Sequence, residues 1–115
     1  MVHIAHASRL HWEFVGSAAN LAIGEWQVSR VHAVLHQADS ALFHAERSLA
    51  IAQGNRLEPF HVAYAHEAIA RALSITKSSA VLTHLHLART IAAQISDPEE
   101  KKLVEDDLET VVGPG

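Results

Sequence analysis

Two segments of this chain, HAERSLA from His44 and HLARTIA from His86, spell one helix twice at an offset of 42 residues. The match aligns Arg47 with Arg89, Ser48 with Thr90, Leu49 with Ile91 and Ala50 with Ala92. Upstream, a second pattern recurs at an offset of 41, pairing Val28 with Ile69, Arg30 with Arg71 and Val34 with Ile75. A unit of about 40 residues built from two helices cannot bury its apolar stripe alone and must stack on a neighbour. Repetition therefore narrows the fold to helix pairs piled side by side. Arrays of that kind offer extended surfaces for binding.

Composition supports a single helical domain spanning residues 1–115. Hydrophobic residues make up 49 % of the chain and charged residues 19 %, too apolar a balance for disorder. Twenty residues are alanine, the strongest helix former and small enough to let helices approach closely. No segment alternates with the two-residue period of a strand. The formal charge of −4 argues against a partner held through phosphates, so no nucleic acid is expected. The acids are concentrated in residues 97–115, which carry a net −5 against +1 for the rest. No apolar run reaches membrane-spanning length and no leader pattern opens the chain, so no membrane is expected and the cytoplasm is the expected location. Without cysteine there is no thiolate to bind zinc or act as a nucleophile.

Punctuation divides the chain into about six helices. Gly16-Ser17 is read as a break between a first helix over about 3–15 and a second over about 18–36, with Ser17 as its cap. Asp39 is placed to cap a third helix ending at Gly54-Asn55, both tolerant of left-handed backbone. Pro59 opens the fourth, Lys77-Ser78-Ser79 is the next turn, and Asp97-Pro98 starts the last helix, over about 98–112. Apolar residues recur with helical spacing in each: Leu42, Ala45, Leu49 and Ala52, then Val62, Ala65, Ile69 and Ala72, then Leu85, Ala88, Ala92 and Ile95. Leu103, Val104, Leu108 and Val111 continue the series. The repeating units span about 18–53 and 59–95, flanked by the first and last helices.

With these residues in view, the chain resembles the tetratricopeptide family, whose antiparallel helix pairs stack into an α-α superhelix. EWQVSRVHAVL from Glu25 and AYAHEAIARAL from Ala63 stand as the first helices of two units. Ala41 and Ser48 in one unit, and Val81 and Ala88 in the other, fill the family's small-residue positions in the second helix. Ser29 and Ile69 replace the family's glycine, the closing proline is displaced to Pro59, and the spacing exceeds the usual period of about 34. The same segments also resemble an uncharacterised group of small bacterial helical proteins, which brings no function with it. The tetratricopeptide resemblance implies a groove lined by the first helices, with Ser29, Arg30, His32, Tyr64, Glu67 and Arg71 as candidate contacts to a protein or peptide segment. Two units are fewer than a stable array needs, so a homodimer is expected, with Trp12, Phe14 and Val15 as candidate contacts.

Chemistry has few candidates. Ten histidines are the one compositional oddity, and His32 and His36 lie one helical turn apart, close enough to share zinc if His44 approached across the turn. The plainer reading makes them helix-surface groups. No serine sits beside a base on a turn, HExxH is absent and the glycines are isolated, so no catalytic residue and no cofactor is assigned. Arg30 and Arg71 lie within apolar patterns. They are read first as a structural ion pair with Glu67, and alternatively as guanidiniums for a peptide carboxylate. The expectation is thus a non-enzymatic binding module. A histidine-ligated metal protein and a purely structural homodimer stand as alternatives.

Overall fold

The computed structural model describes the backbone of residues 7–112 and the side chains from residue 17 to 112. Five α-helices account for nearly all of it: α1 (Ala7–Val34), α2 (Ala38–Gly54), α3 (Pro59–Ile75), α4 (Ala80–Ala92) and α5 (Pro98–Glu109). No strand occurs among the described residues.

The expected break at Gly16-Ser17 does not form, and the first two expected helices are one helix of 28 residues. An interior glycine costs about 1 kcal/mol relative to alanine, which cannot by itself end a helix without a proline or a cap. Packing beyond it outweighs that cost: Ala18, Ala22 and Ser29 are all buried. Trp12, Phe14 and Val15 fall on α1, and their side chains lie outside the described residues.

Consecutive helices run antiparallel. Ala22, Glu25 and Ser29 of α1 bond to Ser48, His44 and Ala41 of α2 in reverse order. The same zigzag carries the chain through α3 and α4. Alternate members of the first layer also touch, since α1 packs on α3 and α3 on α5. The result is two layers, with α1, α3 and α5 in one and α2 and α4 in the other. Nine residues of α3 are buried, making it the axis of the molecule.

Burial selects between the two offsets read from the sequence, the letter match at 42 and the small-residue positions at 40. The buried positions of α2 are Ala41, Ala45, Ser48 and Ala52, and those of α4 are Val81, Leu85, Ala88 and Ala92, an offset of 40 rather than 42. A slip of two residues rotates a helix by about 200°, so the letter-for-letter match aligned one buried face with an exposed one. Arg47 and Arg89, which drove that match, are both exposed. Ser48 and Ala22 sit so close that the Ser48 hydroxyl donates to the Ala22 carbonyl at 2.8 Å, just as Ser29 donates to Ala41 at 2.7 Å. Small side chains at these crossings let backbones approach within reach of a hydroxyl. Leu103, expected in the core stripe of the last helix, is instead 54 % exposed, while Val104, Leu108 and Val111 are buried.

Three helices end in one turn. His36, Arg56 and Lys77 adopt left-handed φ of 58°, 52° and 57°. Around each, the next residue's N–H reaches back to the carbonyl five positions earlier: Gln37 to His32, Leu57 to Ala52, Ser78 to Leu73. The left-handed residue itself donates to the carbonyl three back. This is the Schellman closure, which satisfies orphan carbonyls at a helix end. Gly54 and Asn55, expected to supply that conformation, precede Arg56, which adopts it. At the other termini the expected devices are present: Pro59 and Pro98 occupy the first turns of α3 and α5, and Asp97 accepts from the Glu99 N–H at 3.3 Å. Asp39, expected as a cap, does not cap α2: Gln37 holds the cap position without a side-chain bond, and Asp39 lies one residue beyond the helix start.

A left-handed residue with a Cβ is strained, and glycine is not. His36→Gly, Arg56→Gly and Lys77→Gly should each stabilise the protein by about 0.5–1 kcal/mol, raising the thermal midpoint by roughly 2–5 °C. Circular dichroism melts of the three single variants check this.

Candidate functional site

Glu67 is fully buried, an expensive place for a carboxylate unless it is bonded on all sides. It sits midway along α3, where α1 and α5 flank that helix. The Trp26 indole N–H from α1 donates to its Oε1 at 2.9 Å, and Arg71 Nε, one turn along α3, donates to its Oε2 at 2.7 Å. Arg71 spans onward, donating to the Asp107 carbonyl at 3.1 Å and to Thr110 Oγ1 at 2.7 Å on α5. The Tyr64 hydroxyl donates to Asp107 Oδ2 at 2.5 Å. Burial and that carboxylate together push the Tyr64 phenol far above its ordinary value, so it stays protonated and a donor.

Arg30 completes the cluster loosely. Its guanidinium lies 3.8 Å from Glu67 and 4.0 Å from Asp107, and 5.7 Å from the centre of the Trp26 ring. Those ion-pair distances exceed a hydrogen bond, and its side chain is 33 % exposed against 17 % for Arg71. Arg71 is thus the structural partner of Glu67. Arg30 retains the freedom to meet something else.

Of the six candidate groove residues, the structure brings together Arg30, Tyr64, Glu67 and Arg71. Ser29 is buried against α2 with its hydroxyl on the Ala41 carbonyl. His32 also faces α2, where its Nδ1 donates to Gln37 Oε1 at 2.6 Å and its ring stacks on His44 at 5.5 Å. Those two belong to the α1–α2 seam because α1 turns different faces to α2 and α3. Trp26, Asp107 and Thr110 are members that sequence reading missed. A signal existed: Trp26 and Glu67 stand 41 apart, and Asp107 a further 40, so one node draws on corresponding positions of three parallel helices.

Besides a cleft of about 410 Å³ lined by Trp26, Gln27, Arg30, Val31, Val34 and Leu35, two more flank the node. One of about 400 Å³ opens where the C-terminal ends of α1 and α3 lie side by side, and Arg30, His36, Arg71 and Lys77 line it together with Val34, Ile75 and Val112. The other, about 170 Å³, is almost wholly apolar, with Trp26, Phe60 and Tyr64 set edge to face and Leu103 and His61 at its walls.

The histidines pair rather than cluster. His44 Nδ1 donates to Glu25 Oε1 at 2.6 Å, while Arg47 donates to Oε2 at 3.2 Å. The His44 bond lowers the Glu25 carboxyl below its usual range; burial opposes it, and Arg47 adds to the lowering. At the corresponding place in the second unit, His66 and His84 meet Nδ1 to Nδ1 at 3.0 Å. His32 and His44 present parallel rings, and His36 lies in the turn beyond the helix end. Parallel stacked rings aim their in-plane lone pairs past a common ion. Among the described residues no three of His, Asp and Glu form a group able to hold a metal.

Glu67→Ala should cost about 3–5 kcal/mol, because it strands the Arg71 charge and the Trp26 N–H in the interior; urea unfolding measures it. The histidine seams predict a pH effect. Burial lowers His61, His66 and His84 below 6.5, the last two facing each other, with Glu46 opposing the shift at His84 and Glu58 and Glu100 at His61. The unfolded chain therefore binds protons first, so stability is complete above about pH 6.5 and falls as the pH drops below it. Thermal midpoints at pH 7.5 and 5.5 should differ in the wild type, and the gap should narrow in His66→Asn.

Compared with protein-family models, curated proteins and solved structures, the chain matches none, and the reading of the site rests on its own residues and their geometry.

Proposed function

We propose that the chain is a non-enzymatic, tetratricopeptide-like helical-repeat module that binds a protein or peptide segment through the α1–α3–α5 layer. What supports the repeat reading is the two-layer order of the helices, the small buried residues at the α1–α2 crossings, and identical turns at His36 and Lys77, one unit apart. What supports binding over chemistry is that the charged groups of the node are spent on one another, which leaves recognition rather than proton transfer as their surplus capacity.

One observation carries the proposal: the Arg30 guanidinium lines the cationic cleft without a hydrogen bond to its neighbouring carboxylates. Arg30, Lys77 and His36 line the polar side, and Val34, Ile75 and Val112 the apolar side. That combination suits an extended segment ending in a carboxylate or carrying acidic side chains next to an aliphatic one. A planar guanidinium receives a carboxylate through two parallel bonds. Arg71, assigned above to Glu67, holds the floor of the cleft in place.

Fluorescence polarisation with an acidic peptide bearing a free α-carboxylate tests this. Binding should weaken at least roughly tenfold in Arg30→Ala, with the thermal midpoint little changed, and fall with added salt. Arg71→Ala should instead lower stability. Equal affinity of wild type and Arg30→Ala would refute the assignment of the cleft.

A further inference from the structure

The long helix α1 leaves one side bare. Leu21, Gly24, Val28, Val31 and Leu35 follow one another at steps of three and four residues, the spacing of a helix-pairing seam. The four side chains are 61 %, 40 %, 58 % and 58 % exposed, in a strip roughly 20 Å long. The opposite side of α1 is fully used, through Ala22 and Ser29 on α2 and through Trp26 on α3.

The repeat explains what such a strip is for. Adding 41 to Leu21, Gly24, Val28 and Val31 gives Val62, Ala65, Ile69 and Ala72, the face by which α3 packs on α2. There Ile69 lies in one cluster with Ala45, Leu42 and Leu49, Val62 lies in another with Ala52, and Ala65 and Ala72 are buried. The first helix thus displays a stacking face whose counterpart one unit later is covered. Gly24 adds an independent observation. A Cβ placed on it meets nothing within 4 Å, so no contact inside the chain calls for a glycine there. At the centre of a seam, a missing side chain lets a second helix come close.

We infer that the occupant is a second copy of this chain, packed strip to strip along α1 about a two-fold axis. Head-to-tail stacking would set the strip against the other end of the array, but α5 turns outward with Glu99, Lys102, Glu105, Asp106 and Glu109 exposed. Burying those charges against aliphatic side chains is unfavourable. The outer faces of α2 and α4 interleave Glu46, Arg47, His86 and Arg89 among their exposed apolar residues. The strip's best-matched surface on this chain is itself, and a self-matched patch closes as an isologous pair. Val31 and Leu35, at one end of the strip, adjoin Arg30 and Val34 of the peptide cleft, so the dimer is tested by its oligomeric state and not by peptide binding.

Sedimentation of the whole chain decides it. The wild type should be a dimer at micromolar concentration. Val28→Glu/Val31→Glu should be a monomer with unchanged helical circular dichroism, since both residues are already exposed within one chain. Gly24→Met should also dissociate the dimer while raising helicity, which separates loss of contact from loss of fold. Because the chain has no cysteine, Val28→Cys at the middle of the strip should give a covalent dimer on mild oxidation. Leu103→Cys should not. A monomeric wild type at high concentration, or a charged double variant that stays dimeric, overturns the proposal.

Discussion

A single buried carboxylate organises this protein. Glu67 lies in the middle of the central helix with no access to water, and its two oxygens are shared between the Trp26 indole and the Arg71 guanidinium. Arg71 passes the link to α5 through a backbone carbonyl and Thr110. Hydrophobic burial is non-directional and would tolerate several ways of sliding α1 and α5 along α3. Directional bonds to one buried anion permit only one. The register of the α1–α3–α5 layer, and with it the shape of both clefts, follows from that node.

The second layer obeys a different rule. Where α1 and α2 cross, the contacts are alanine and serine, and the serine hydroxyls bond to backbone carbonyls of the opposing helix, whereas α4 buries Val81 and Leu85 beside its alanines. Close approach of backbones replaces large side chains as the source of fit. Helices α1, α2 and α3 are each closed by a left-handed residue that is not glycine, a local strain sustained by the packing on either side. Economical side chains in the α2–α4 layer leave the large aromatics, Trp26, Phe60 and Tyr64, on the α1–α3–α5 side.

Arg30 and Arg71 show how position separates two residues that the sequence makes equivalent. They stand 41 apart with similar neighbours. The helix that follows, α5, covers Arg71 and supplies its acceptors, whereas Arg30 stands one unit earlier and beyond hydrogen-bond reach of both carboxylates. The residue one turn before Arg71 is Glu67, which accepts its Nε, whereas the residue one turn before Arg30 is Trp26.

Much was legible in the chain by itself: that it is helical, where Pro59, Asp97 and Pro98 begin helices, and that Arg71 pairs with Glu67 one turn away. These are local properties, set by propensity, capping chemistry and side chains three or four residues apart. Only the tertiary structure decided that Gly16-Ser17 lies within a helix, which of two offsets read from the sequence (42 or 40) relates α2 to α4, and that Ser29 and His32 leave the groove for the α1–α2 seam. It also brought Trp26 and Asp107 to Glu67, and His66 to His84. Each of those outcomes depends on how far a helix is rotated about its axis. Rotation is set by packing against elements distant in sequence, a sum of many small contacts that no local pattern contains.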